Sequence, residues 1–103
     1  MSLPVSYTSA LSHASADKRI DVLRAVGASG SISQAARDCG VSYKAAWQAI
    51  DTLTNLAGAV LVERVVGGAG GGGARLTAAG SQLLAAAAQL AQARHQVLGR
   101  LSA

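Results

Sequence analysis

A mainly α fold with one small β-hairpin is what this sequence predicts, and three observations carry it. Apolar residues recur at helical spacing from Asp17 to Ala57 and again after Thr77. Between them, Val60 to Val66 is β-branched and changes the period from helical to extended. The run Gly67-Gly68-Ala69-Gly70-Gly71-Gly72-Gly73 then excludes regular structure, and Ala74-Arg75-Leu76 resumes an extended conformation.

Composition sets the bounds. A chain of 103 residues suits a single domain. Apolar residues make up 50% but aromatics only 3%, with no Phe, so Ala, Val and Leu must build the core. Lys and Arg number 9 against 5 Asp and Glu, a net charge of +4 that suits a polyanionic partner. Cys39 is the only cysteine, which excludes an intrachain disulfide and a cysteine-rich zinc site. His13 and His95 have no acidic neighbours at ligand spacing, so no metal is expected. Ser, His and Asp occur without a catalytic arrangement, and the chain is not read as an enzyme. The longest apolar run, Leu83 to Ala88, is far too short to span a bilayer. No charged-then-apolar leader is read at Met1-Ser2-Leu3-Pro4-Val5, so the cytoplasm is the expected compartment.

The elements follow in order. Residues 1–16, with Pro4 and several serines, read as a tail or arm. The first helix starts at Asp17 and buries Ile20, Val22, Leu23 and Val26, with Lys18, Arg19, Asp21 and Arg24 opposite; Gly27 and Gly30 bracket its end. Ser31-Ile32-Ser33-Gln34 has the form of a capping box and opens a short helix, Ile32 to Cys39, closed by Gly40. Ser42 caps the third helix, which runs to Ala57 and stops at Gly58. Its apolar stripe is Ala46, Ile50, Leu53 and Ala57, and Lys44, Trp47, Gln48 and Asp51 share the opposite face. After the hairpin, Thr77 caps a long last helix through about Leu101. Helix, short helix, helix, hairpin and long helix is the plan of a winged helix-turn-helix.

Two helices joined by so short a turn cross steeply, and small Ala35, Ala36 and Ala45 permit the approach. Such a pair is either an ordinary αα-hairpin within a small helical domain or a helix-turn-helix whose third helix projects into the major groove of DNA, and the polar side of that helix with the hairpin after it favours the second. Lys44 suits a guanine edge or a phosphate, or simple solvation; Tyr43 suits a phosphate, a thymine methyl or a cover for the hairpin. Trp47 fits either the edge of the core or a partner-facing surface, and Gln48 either adenine or water. The glycine run lacks the Gly-Lys-Ser/Thr of a nucleotide loop and suits the tip of a wing, with Arg64 and Arg75 flanking it to meet the DNA backbone or minor groove. The last helix carries Leu83, Ala87, Leu90, Arg94, Val97 and Leu101 at alternating spacings of four and three, with Leu98 beside them. So long a seam suits a helix of a second copy; the alternative is that its first half packs on the domain and its end frays.

Gly30-Ser31-Ile32-Ser33-Gln34-Ala35-Ala36, Val41-Ser42-Tyr43-Lys44-Ala45-Ala46-Trp47, Leu61-Val62-Glu63-Arg64 and the glycine run ending in Ala74-Arg75-Leu76-Thr77 together are distinctive. From Asp17 to about Leu90 the chain resembles the N-terminal DNA-binding domain of the molybdate-responsive ModE regulators, relatives of the LysR-type winged helix. The resemblance implies a winged helix-turn-helix over residues 17–77 and a dimerisation helix over 78–103. It implies double-stranded operator DNA as partner, bound by a homodimer. Ser42, Tyr43, Lys44, Trp47 and Gln48 would lie on the recognition helix and Arg64, Gly70 and Arg75 in the wing, with Ser31 and Ser33 joining from the short helix. The dimer interface would take Leu83, Ala87, Leu90, Val97, Leu98 and Leu101.

ModE proteins generally carry a second region of β-barrel modules that binds molybdate or tungstate. No strand-rich segment follows the last helix here, so no cofactor is expected for these residues. The expected function is sequence-specific transcription regulation of molybdenum transport or utilisation genes. The alternative is an architectural or protein-interaction DNA-binding unit that pairs with a full-length ModE-like protein.

Overall fold

The computed structural model describes residues 7–11, 16–66 and 73–102. Its elements are α1 (Tyr7–Leu11), α2 (Ala16–Ser29), α3 (Ile32–Cys39), α4 (Tyr43–Ala57), β1 (Val62–Val65), β2 (Gly73–Leu76) and α5 (Ala78–Ser102). This is the winged helix-turn-helix plan expected from the sequence. The segment read as a tail or arm contains α1, whose Ala10 is fully buried. No helix among the described residues is long and apolar enough to cross a membrane.

Local chemistry sets the helix ends. The Ser31 hydroxyl accepts from the Gln34 N–H at 3.2 Å, and the Ser42 hydroxyl accepts from the Ala45 N–H at 3.0 Å. The reciprocal half of the capping box at Ser31 is replaced by other contacts: Gln34 donates to Asp38 at 2.7 Å and accepts from Arg37 at 2.8 Å. Gly40 turns the chain between α3 and α4 with φ +67°, a left-handed conformation that an L side chain would strain. The Val41 N–H closes the same turn on the Ala36 carbonyl at 2.9 Å.

Two apolar clusters hold these elements. Val22 and Val26 of α2 meet Ile32, Ala35 and Ala36 of α3, Ala46 and Ile50 of α4, and Ala74 of β2. Ala35 and Ala36 bring α3 close, as the sequence suggests; Ala45 is only half-buried. The second cluster joins Ala10, Ile20, Leu23, Leu53, Ala57, Leu61 and Leu83. At about 1.5–3 kcal/mol for each fully buried Leu or Val, the five largest fully buried side chains, Leu23, Leu53, Leu61, Leu83 and Val26, are main contributors to stability.

Leu83 corrects one expectation. It is fully buried in the chain's own core and has no surface to offer a second copy. Ala87 packs half-buried on the same cluster. The periodic stripe of α5 therefore serves two purposes: its first turns complete the domain, and only from Ala88 onward is every described residue exposed. Leu90, Val97, Leu98 and Leu101 lie in that exposed half.

β1 and β2 pair antiparallel with Val62 opposite Leu76, Glu63 opposite Arg75, Arg64 opposite Ala74 and Val65 opposite Gly73. One bond ties the hairpin to α2 and another closes its base. The Ala74 N–H donates to the Gly30 carbonyl at 2.9 Å, at the end of α2, and the Thr77 N–H donates to the Leu61 carbonyl at 2.9 Å.

Candidate nucleic-acid interface

The apolar stripe of α4 is buried in the body, which leaves the opposite side of the helix to solvent. Ser42, Tyr43, Lys44 and Gln48 are all exposed. Lys44 and Gln48 are one helical turn apart and can enter one groove together. Ser33 is exposed in the first turn of α3, whereas Ser31 is half-buried and its hydroxyl is engaged as the cap.

Trp47 sits at the edge of the core, one of the two places the sequence leaves open. It is half-buried and packs against the first core cluster. It also meets two neighbours at the surface: the Tyr43 ring, edge-on with centroids 6.4 Å apart, and the Arg64 guanidinium, whose central carbon lies 5.0 Å from the ring centroid. A cation over an indole face is attracted by the ring quadrupole. The contact joins the wing to the recognition helix.

The two wing arginines occupy different faces. Residues directly opposite in an antiparallel pair share a face. Arg64 thus shares the inner face with Val62, Leu76 and buried Ala74, and this carries it to Trp47. Arg75 lies on the outer face beside Glu63, and its Nε donates to Glu63 Oε1 at 2.7 Å. Neither contact was readable from the sequence, because the glycine run leaves the strand register open. Gly70 lies outside the described residues.

Elsewhere, Cys39 lies at the end of α3. Burial, aided by the carboxylates of Asp21 and Asp38, pushes its thiol above the ordinary range. Among the described residues no group of three or more His, Cys, Asp or Glu gathers at metal-binding distance.

The model of the bacterial regulatory helix-turn-helix proteins of the lysR family matches residues 18–81. The chain belongs to that family. Within it, the chain is 55% identical over 60 residues to the DNA-binding transcriptional dual regulator ModE of Escherichia coli K12, covering 58% of this chain and 23% of that protein. It is 52% identical over 77 residues to the molybdenum transport protein ModE of Azotobacter vinelandii, covering 75% of this chain and 27% of the relative. The crystal structure of ArgP from Mycobacterium tuberculosis superposes with a TM-score of 0.61 at 32% identity, covering 82% of this chain and 30% of that one. The chain thus spans about a quarter of the length of the curated relatives it matches. The aligned LysR-family region runs from α2 into the first turn of α5, so it contains both the recognition helix and the wing.

Proposed function

We propose that this chain is a ModE-like, sequence-specific DNA-binding transcription regulator, that it binds operator DNA as a homodimer, and that it controls genes of molybdenum transport or utilisation. The observation that carries the reading is the exposed Lys44 and Gln48 face of α4, set beside a basic wing in a lysR-family helix-turn-helix. The molybdenum link rests on the likeness to the two ModE proteins. Dimer formation is supported by the exposed half of α5, where Leu90, Val97 and Leu101 leave an apolar stripe in water. We assign DNA reading to contacts made by these residues alone, with no bound oxyanion, so molybdate should leave the affinity of this chain for its site unchanged.

The test starts by selecting a preferred duplex from a random-sequence pool. A regulator should prefer that duplex over random DNA by at least about 10³, whereas an architectural role would give little preference. Gln48→Ala should weaken binding to the selected site by about 1–3 kcal/mol and leave random-sequence binding nearly unchanged. Equal losses on both duplexes would remove Gln48 from the reading face.

A further inference from the structure

Arg64 differs from every other cation near α4 in being both seated and unpaired. Its guanidinium lies over the Trp47 ring, while no carboxylate among the described residues pairs with it. Arg75, its neighbour across the hairpin, is already tied to Glu63 at 2.7 Å. Lys44 is exposed on α4, on a flexible stem. The Trp47 indole is in turn fixed from beneath by the core cluster and from the side by Tyr43. A guanidinium held over a ring face still has N–H donors free, and their planar fork can meet a phosphate with two parallel bonds. Holding the fork before contact removes part of the ordering cost of binding.

We propose that Arg64, seated on Trp47, is a preformed ligand for a backbone phosphate of duplex DNA at the junction of recognition helix and wing. Trp47 is its positioning residue, and the indole reads no base. The proposal rests on the DNA reading above and divides labour within it: Gln48 selects the sequence, Arg64 fixes how deeply α4 sits in the groove, and Arg75 contributes little net charge because Glu63 balances it.

A phosphate contact is independent of sequence, so the probe is a random-sequence duplex, with affinity followed by fluorescence anisotropy from about 50 to 200 mM salt. Arg64→Ala should weaken binding about tenfold at low salt and reduce the salt slope by about one. Arg64→Lys should keep the slope and recover only part of the affinity, since an ammonium lacks the fork. Trp47→Leu should also keep the slope while weakening binding several-fold, and should cost nothing further in an Arg64→Ala background. Should Trp47→Leu fail to give a cooperative melt, Trp47→Phe, which keeps a weaker aromatic seat, runs the same cycle with a smaller coupling. Arg75→Ala combined with Glu63→Ala should cost less than about twofold, because the pair carries no net charge.

Losses at Trp47 and Arg64 that multiply independently would overturn the seat, and so would a loss on removing Arg75 and Glu63 together as large as that of Arg64→Ala. A wild-type protein that binds no duplex at low salt would overturn the DNA reading and the seat together. One that binds while the cycle shows no coupling overturns the seat alone.

Discussion

Replacing Gly80 with alanine tests the joint on which the wing and α5 both depend. Gly80 lies in the first turn of α5 and is buried. A methyl group there would drive into the carbonyl oxygen of Leu61, while standing 3.2 Å from that carbonyl carbon and 3.4 Å from Leu76 Cβ. The obstacle is backbone, so no side-chain rotation relieves it. The same Leu61 carbonyl accepts the Thr77 N–H at 2.9 Å, and the Thr77 hydroxyl donates to the Val60 carbonyl at 2.6 Å while accepting from the Gly80 N–H at 3.1 Å. Moving α5 away from β1 therefore strains these bonds together. Overpacking costs about 1–3 kcal/mol and each weakened hydrogen bond about 1 kcal/mol. Alanine's helix propensity returns about 1 kcal/mol. The net loss is about 2–4 kcal/mol, which at about 4–8 °C per kcal/mol lowers the melting temperature by roughly 8–32 °C.

The assay is thermal unfolding by circular dichroism at one protein concentration, with Gly99→Ala as the control. Gly99 lies on the exposed half of the same helix with nothing within 4 Å of a Cβ, so its alanine variant should match or slightly exceed wild type. A Gly80→Ala protein that melts within a few degrees of wild type would refute the close approach of α5 to the strand.

The two halves of α5 should answer differently to truncation and charge. Leu83→Ala removes a fully buried side chain and should cost about 2–5 kcal/mol, read by chemical denaturation; a loss under about 1 kcal/mol would contradict its burial. Val97→Asp, on the exposed half, should leave the domain folded but yield monomers by sedimentation at tens of micromolar; an unchanged dimer would remove that face from the interface. Cys39 should be alkylated more slowly than a free cysteine at pH 8, because burial and the nearby Asp21 and Asp38 disfavour its thiolate. The sign for stability follows: the folded thiol holds its proton longer than the unfolded one, so stability is intact below the ordinary thiol value of 9.0 and declines as pH rises past it. Cys39→Ala should flatten that alkaline decline.

Much of the body was legible because its signals are local. Ser42 and Gly58 bracket α4, and the stripe of Ala46, Ile50, Leu53 and Ala57 is the set that the structure buries. A cap, a left-handed glycine and a 3.6-residue period are each decided within one or two turns of chain. The misreadings lie where decisions are not local. Leu83 continues the same period as Leu90 and Val97, so periodicity could not show where the body of the domain stops covering α5. Tyr7–Leu11 is too short for any period to emerge, and Ala10 is buried only because α4 and α5 are there to receive it. Gln34 stands at the right spacing for a capping box, yet Asp38 and Arg37, one turn onward, compete for its amide.

The wing shows why residue type and position along the chain were not enough to assign its charges. Arg64 and Arg75 look equivalent on either side of the glycine run, and both were expected to face the DNA backbone. Register separates them. With Arg64 opposite Ala74, the first arginine joins the inner face and reaches Trp47; with Arg75 opposite Glu63, the second meets a carboxylate on the outer face. A slip of one residue would exchange the two faces and bring the other arginine towards the recognition helix. The register is held from both ends, by the Ala74 N–H on Gly30 and the Thr77 N–H on Leu61. The hydrogen bonds at the two ends of β2 therefore also decide which arginine lies over Trp47 and which meets Glu63.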